Sequence, residues 1–274
     1  MLRAAGVLRY SPRMSHDYEY RGMLASAWDL LRGDTSQWPD RAFYRDVIAR
    51  YGEPALDVGC GTGRLLLDYL ACDIDVDGVD NSPEMLALSR KKALVLDLMP
   101  SVYEQQMEAL DLPRRYRTIF VPSSSFLLLT DRADAEQAMQ RFYQHLESGG
   151  VLVMPFMVIR RGNTPPGGEW SDWCKTGERE RPADGALVRR WQRMKFDDVE
   201  QWEDTDDRYE VIVDDEIVAT EEHRRSPAVR WYTQAQSLAI YDRAGFAAIH
   251  AVSEFTFDPA GPSDSIWTVF GTKP

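Results

Sequence analysis

A chain of 274 residues with 44% hydrophobic residues and eight tryptophans can bury a sizeable core, which excludes global disorder. Its 32 basic and 44 acidic residues leave a net charge of -12, and this argues against a general nucleic-acid surface, where phosphates need clustered Lys and Arg. Three cysteines without metal-ligand spacing or a disulfide framework, and no membrane-spanning stretch, point to a reducing cytoplasm and away from metal chemistry.

Residues 1–14 read as a loose extension, broken at Ser11-Pro12 and too interrupted in its apolar run for a signal peptide. From Asp17 to Leu31, apolar residues at Tyr20, Met23, Leu24, Trp28 and Leu31 follow helical spacing, and a second helix runs through Phe43, Val47 and Ile48 to Tyr51. Ala55-Leu56-Asp57-Val58 then reads as a buried strand entering Gly59-Cys60-Gly61-Thr62-Gly63, with a helix over Arg64–Ala71. A strand ending in Gly-x-Gly-x-Gly brings bare backbone to a ligand, and the Thr62 and Gly63 amides are expected at the helix N-terminus. Cys60 is read as a small filler of that turn.

The stretch 74–80 predicts a second strand ending at Asp80, about 20 residues after the glycines, where a ribose diol would be held. Ser82-Pro83 opens a helix through Met85, Leu86, Leu88 and Ala93. Further strands follow at 102–107, 118–121 and 151–156, with a helix from Ala135 to Leu146 that Gly149-Gly150 is expected to end. Alternating strands and helices predict a doubly wound, mostly parallel sheet. Residues 157–230 break that rhythm: Leu187–Met194 and Tyr209–Val213 read as antiparallel strands, and the acidic run 197–207 reads as a solvated turn. Thr233 and Gln236 predict a capping box for a last helix, and 247–252 with 265–271 predict a closing hairpin.

The third glycine of a dinucleotide fingerprint is replaced by Arg64. Instead, Asp57-x-Gly59-x-Gly61-x-Gly63 together with Asp80 resembles the class I S-adenosylmethionine-dependent methyltransferases, from about Tyr20 to the end of the chain and least over 157–230. The resemblance implies a seven-stranded Rossmann-like sheet with N-terminal helices and an antiparallel β insertion after strand five. Its domain reading is a 1–14 extension, a cofactor domain at 15–156 and 231–274, and an inserted lobe at 157–230. It implies S-adenosyl-L-methionine as cofactor, with Asp57 and the turn Gly59, Cys60, Gly61 and Gly63 beside the methionine moiety and Asp80 on both ribose hydroxyls. Asn81 and Met85 would flank the adenine, edged by Gln106, Met107 and Glu108. Gln106 stands where relatives often carry an aspartate, and Glu108 is its rival.

Pro122, Ser123, Ser125 and Phe126 follow the strand whose end faces the transferring methyl in that family. The Asn-Pro-Pro-Tyr signature of adenine and glutamine methyltransferases is missing there, which counts against those substrates. Tyr18, Tyr20, Trp28 and Tyr44 are candidates to close over the sulfonium, and Phe156 and Trp231 to touch the acceptor. A nitrogen or oxygen acceptor can need a general base. Of His16, His145, His223 and His250, the third is the best-placed candidate as part of the insertion, with an ordinary solvated histidine as its alternative; His145 is read as a surface residue. The expected activity is methyl transfer to nitrogen or oxygen of a small molecule, without nucleic acid or membrane, the insertion serving as lid or homodimer surface. The alternatives are a protein or tRNA methyltransferase and an inactive cofactor-binding partner protein.

Overall fold

The computed structural model describes residues 8–9, 19–158 and 168–274. In chain order its first elements are β1 (Leu8–Arg9), α1 (Gly22–Ser26), α2 (Trp28–Arg32), α3 (Pro39–Tyr51), β2 (Ala55–Val58), α4 (Leu66–Leu70) and β3 (Val76–Asp80). Next come α5 (Pro83–Val95), β4 (Val102–Glu104), β5 (Tyr116–Phe120), α6 (Arg132–His145) and β6 (Leu146–Met157). The last are β7 (Cys174–Glu180), β8 (Leu187–Asp197), β9 (Trp202–Val213), β10 (Glu216–Arg230), α7 (Gln234–Arg243), β11 (Ala247–Ser253) and β12 (Ile266–Thr272). Two compact units result, one from residues 36–158 and 231–274 and the other from 8–9, 19–35 and 168–230.

The larger unit is a seven-stranded sheet in the order β11-β12-β6-β5-β2-β3-β4. The run from β6 to β4 is parallel, and β12 and β11 add antiparallel pairings at one edge. Central strands are apolar on both faces because helices cover both. Phe43, Tyr44, Val47 and Ile48 of α3, Leu66 and Tyr69 of α4, and Leu86 of α5 pack with Phe120, Val153 and Phe270 of the sheet. Ser82 caps α5 by accepting the Met85 N–H, with Pro83 in the first turn, and Thr233 with Gln236 forms the capping box expected for α7. The chain moves out from β2 to β4 on one side, then returns to β5 on the other. That reversal opens a crevice at the carboxyl ends of β2 and β5.

Two local expectations are corrected in this unit. Helix α4 begins at Leu66, so Thr62 and Gly63 lie in the turn before it and not at its N-terminus. Helix α6 ends at His145, with β6 starting directly at Leu146, so Gly149 and Gly150 lie inside the strand. Their role there is close approach: the Gly149 N–H donates to the Lys273 carbonyl, and a Cβ on Gly150 would stand 3.0 Å from the Arg117 oxygen.

The smaller unit is a five-stranded sheet in the order β1-β10-β9-β8-β7. The helix expected over 17–31 is two short helices divided at Ala27, and Leu24 and Ala27 pack with Val188 and Tyr209 of this sheet. That packing assigns residues 19–35 to the smaller unit, against the expectation of a cofactor domain starting at 15. Leu8 and Arg9, expected in a loose extension, pair with Glu221 and Glu222; the rest of that extension lies outside the described residues.

The acidic run is the largest correction. Trp202–Asp207 belongs to β9, not to a solvated turn, and Asp204, Asp206 and Asp207 are buried. Successive carboxylates meet cations from both neighbouring strands: Asp206 faces Arg193 and Arg224, while Asp207 accepts from Arg190, Arg225 and Gln192. Asp207→Ala leaves Arg190 and Arg225 without that charge in a buried place, so stability falls by about 3–5 kcal/mol. Urea unfolding of the full chain checks this; a loss under 1 kcal/mol would mean the network is solvated. Among the described residues, no helix is long and apolar enough to cross a membrane.

Candidate functional site

The turn after β2 supplies bare backbone at the crevice. Gly59, Gly61 and Gly63 all have positive φ, at +73°, +56° and +81°, which disfavours side chains at each. Their surroundings differ. A Cβ on Gly59 would run into Ser125 Oγ at 2.8 Å, and one on Gly63 into Ser89 Oγ at 2.6 Å and Leu67 at 2.9 Å. At Gly61 the nearest atom is Met85 Cε at 3.6 Å, an ordinary contact. Gly61 therefore has room for a Cβ without a clash, whereas Gly63 is glycine for packing beneath the turn. Cys60 points its side chain into the core, where its sulfur would stand 2.9 Å from a Cβ on Gly78, so only its backbone is available to a ligand.

Asp80 ends β3 beside this turn. Its Oδ2 accepts the Gly61 N–H at 2.8 Å and its Oδ1 accepts the Ser82 N–H at 2.9 Å. Burial raises its pKa, and the hydrogen bonds from Ser82, Gly61 and Asn81 work in the opposite direction. Each oxygen keeps lone-pair capacity for a further donor. Met85 lies against Gly61, and Met107 Cε stands 3.7 Å from a Cβ on Gly59. Gln106 is exposed at the start of a short 3-10 turn, and Glu108 is partly buried, which raises its pKa. Asn81 is exposed next to Asp80.

Asp57 is 1% exposed, accepts the Leu66 N–H, and has an Oδ1 with no hydrogen-bond partner. Burial pushes its carboxyl up to about 8; Arg64 lowers it, and Asp80 and Asp40 raise it. Between about 4 and 8 the folded chain therefore holds a proton there that the unfolded chain has released. The stability linked to this group is complete below the unfolded value and is lost as pH rises through about 8. Denaturant unfolding across that range, without ligand, should show a decline that is shallower in Asp57→Asn.

After β5, Val121 and Pro122 lead into Ser123 and Ser124, two consecutive residues at φ +55° and +58°. Non-glycine residues in that region cost energy and gather at functional loops. Ser123 is exposed, and Ser124 is buried with its hydroxyl unpartnered. Ser125 donates to the Pro122 carbonyl and packs against Gly59. The crevice thus brings together Asp57, Gly59, Gly61, Asp80, Met85, Met107 and Ser125 through chain reversal and direct contact.

Other expected residues lie in the packed core of the larger unit or belong to the smaller one. Phe126 and Phe156 are fully buried, in an aromatic group with Tyr232 and Trp267, so they support the sheet and do not offer a substrate-facing surface. Tyr44 is also fully buried, stacked on Phe120 at 5.1 Å, and is a core residue. Trp231 is 8% exposed. Tyr20 and Trp28 meet edge to face at 4.9 Å in the smaller unit. His223 is there too, 5% exposed and bonded to Glu221 at 2.5 Å, which corrects the solvated alternative. His145, read as a surface residue, is 8% exposed and accepts the Leu112 N–H at 3.0 Å. Tyr18 and His16 lie outside the described residues.

Sequence reasoning missed Asp40. This residue of α3 is 4% exposed and takes Arg64 in a two-point pair at 3.0 and 2.5 Å. The available signal was Trp38-Pro39-Asp40, a proline and an acid opening a helix.

A family model described as a methyltransferase domain matches residues 55–150. The dTDP-3-amino-3,6-dideoxy-alpha-D-glucopyranose N,N-dimethyltransferase of Streptomyces fradiae is 27% identical over 145 residues, 50% of this chain and 54% of that protein. The chain spans about half the length of the curated relatives it matches. Among solved structures, an S-adenosylmethionine-dependent methyltransferase from Clostridium acetobutylicum has a TM-score of 0.69 at 18% identity, covering 88% of this chain and 94% of its own. The sugar N-methyltransferase KedS8 from Streptoalloteichus sp. has a TM-score of 0.68 at 19% identity, covering 100% of this chain and 99% of its own. At those identities the two structures show the shared fold.

Proposed function

We propose that the chain, whose residues 55–150 match a methyltransferase domain, is a class I S-adenosylmethionine-dependent methyltransferase that methylates an amine nitrogen on a small molecule. The observation that carries the cofactor half is the Gly61–Asp80 pairing beside an orphaned Asp57 oxygen at the sheet's switch point. The residues present fit such a group. Gly61 puts no side chain in a ligand's way, Asp80 holds an oriented carboxylate for a ribose diol, and Asp57 offers a buried oxygen to an ammonium. Asn81 and Met85, with Gln106, Met107 and Glu108, are the proposed adenine neighbours; Pro122, Ser123 and Ser125 are the proposed neighbours of the reacting end. When bound, S-adenosylmethionine supplies a methyl carbon already activated by the sulfonium. The protein's own task is then to align the acceptor in line with that carbon and to exclude water.

The amine is favoured because a relative and a structural neighbour both carry names for nitrogen methylation on sugars. Incubating the purified chain with S-adenosylmethionine and a panel of nucleotide-linked amino sugars, phenols and carboxylic acids tests it by release of S-adenosylhomocysteine. Release with an amino sugar supports the reading. Release with phenols or acids alone would move the acceptor to oxygen, and methylation of tRNA or protein alone would overturn a small-molecule acceptor.

A further inference from the structure

Asp57 and Asp40 both lie near Arg64, but only one of them holds it. The guanidinium gives Nη1 to Asp40 Oδ1 and Nη2 to Asp40 Oδ2, and both side chains are largely buried, at 11% and 6% exposure. A two-point arginine–carboxylate pair of this kind is directional and strong. The indole of Trp38 lies 5.1 Å from the same guanidinium, and Pro39 begins α3 so that Asp40 falls in its first turn. Among the described residues Asp57 forms no ion pair, and its Oδ1 has no hydrogen-bond partner although Arg64 is close enough to act on it through space. A buried carboxyl oxygen without a hydrogen-bond partner costs stability, so its persistence needs a reason.

We propose that Asp40 is a positioning residue for the cofactor: by holding Arg64 in a two-point pair, it keeps the orphaned oxygen of Asp57 open for the ammonium of the methionine moiety. This rests on the cofactor reading above. With Asp40 neutralised, Asp57 is the remaining buried acid that Arg64 acts on, and its ionisation into an internal Arg64–Asp57 pair would occupy the place meant for the ligand's cation. Removing Arg64 as well takes away the competitor. It also cancels the charge change, because Arg64 and Asp40 act on Asp57 with opposite signs.

The test is calorimetric titration of the full chain with S-adenosylmethionine and with methylthioadenosine, which keeps the adenosine and sulfur but lacks the ammonium. Asp40→Asn should weaken S-adenosylmethionine binding by about tenfold or more, while methylthioadenosine affinity changes by no more than about twofold. Adding Arg64→Gln to Asp40→Asn should restore most of the lost affinity, and Asp40→Glu should keep most of it; thermal unfolding verifies that each variant is folded. Equal weakening of both ligands, or no restoration in the double variant, would overturn the proposal and leave Asp40 as a structural residue. A native chain that binds neither ligand would overturn the cofactor reading itself, and the proposal with it.

Discussion

Asp80→Ala weakens S-adenosylmethionine binding by about 100-fold, from the loss of two charge-assisted hydrogen bonds worth about 1.5 kcal/mol or more each. The carboxylate is oriented before any ligand arrives: Gly61 and Ser82 each give it a backbone N–H, at 2.8 and 2.9 Å. Ribose hydroxyls would thus meet fixed acceptors, with little reorganisation to pay against the gain. The same substitution frees the Gly61 amide, so the turn loosens as well, and both effects act in one direction. Titration of the variant checks the affinity, and an unfolding curve separates it from loss of fold. Unchanged affinity would mean that the carboxylate serves only the turn.

The glycine turn allows a sharper contrast, between Gly61→Ala and Gly63→Ala. Both positions have positive φ, so each variant carries about 1–2 kcal/mol of backbone strain. At Gly63 the new methyl must also displace Ser89 Oγ and Leu67, which adds about 1–3 kcal/mol of overpacking. At Gly61 it meets only ordinary contact with Met85, on the side where a ligand would lie. The expected results are opposite in kind: Gly61→Ala loses nearly all cofactor affinity with a small stability loss, and Gly63→Ala loses mainly stability. A Gly61→Ala protein that binds as the native chain does would show that no ligand approaches that backbone.

Features encoded in a few adjacent residues were readable in advance. The strand into Gly59, the Ser82 cap, the Thr233–Gln236 box and the carboxylate at Asp80 each depend on neighbours within one turn or strand. What was misread depends on partners far along the chain. The acid-rich segment of β9 looks solvated until β8 and β10 bring Arg190, Arg193, Arg224 and Arg225 opposite it. His145 looks exposed on its helix until the Leu112 N–H reaches it from the loop before β5. Phe126 follows β5 and Phe156 lies near the end of β6, where substrates meet such sheets, yet their side chains turn into the aromatic core. Asp40 and Arg64 are separated by 24 residues, and nothing in the pattern of either segment announces that they pair.

The most direct measurement is an equilibrium titration of the purified chain with S-adenosylmethionine and, separately, with NADH. The Arg64 substitution in the dinucleotide fingerprint and the orphaned Asp57 oxygen predict saturable one-to-one binding of the first and none of the second. Binding of NADH without S-adenosylmethionine would contradict the account, because the glycine turn would then cradle a pyrophosphate and Asp57 would have no cation to meet.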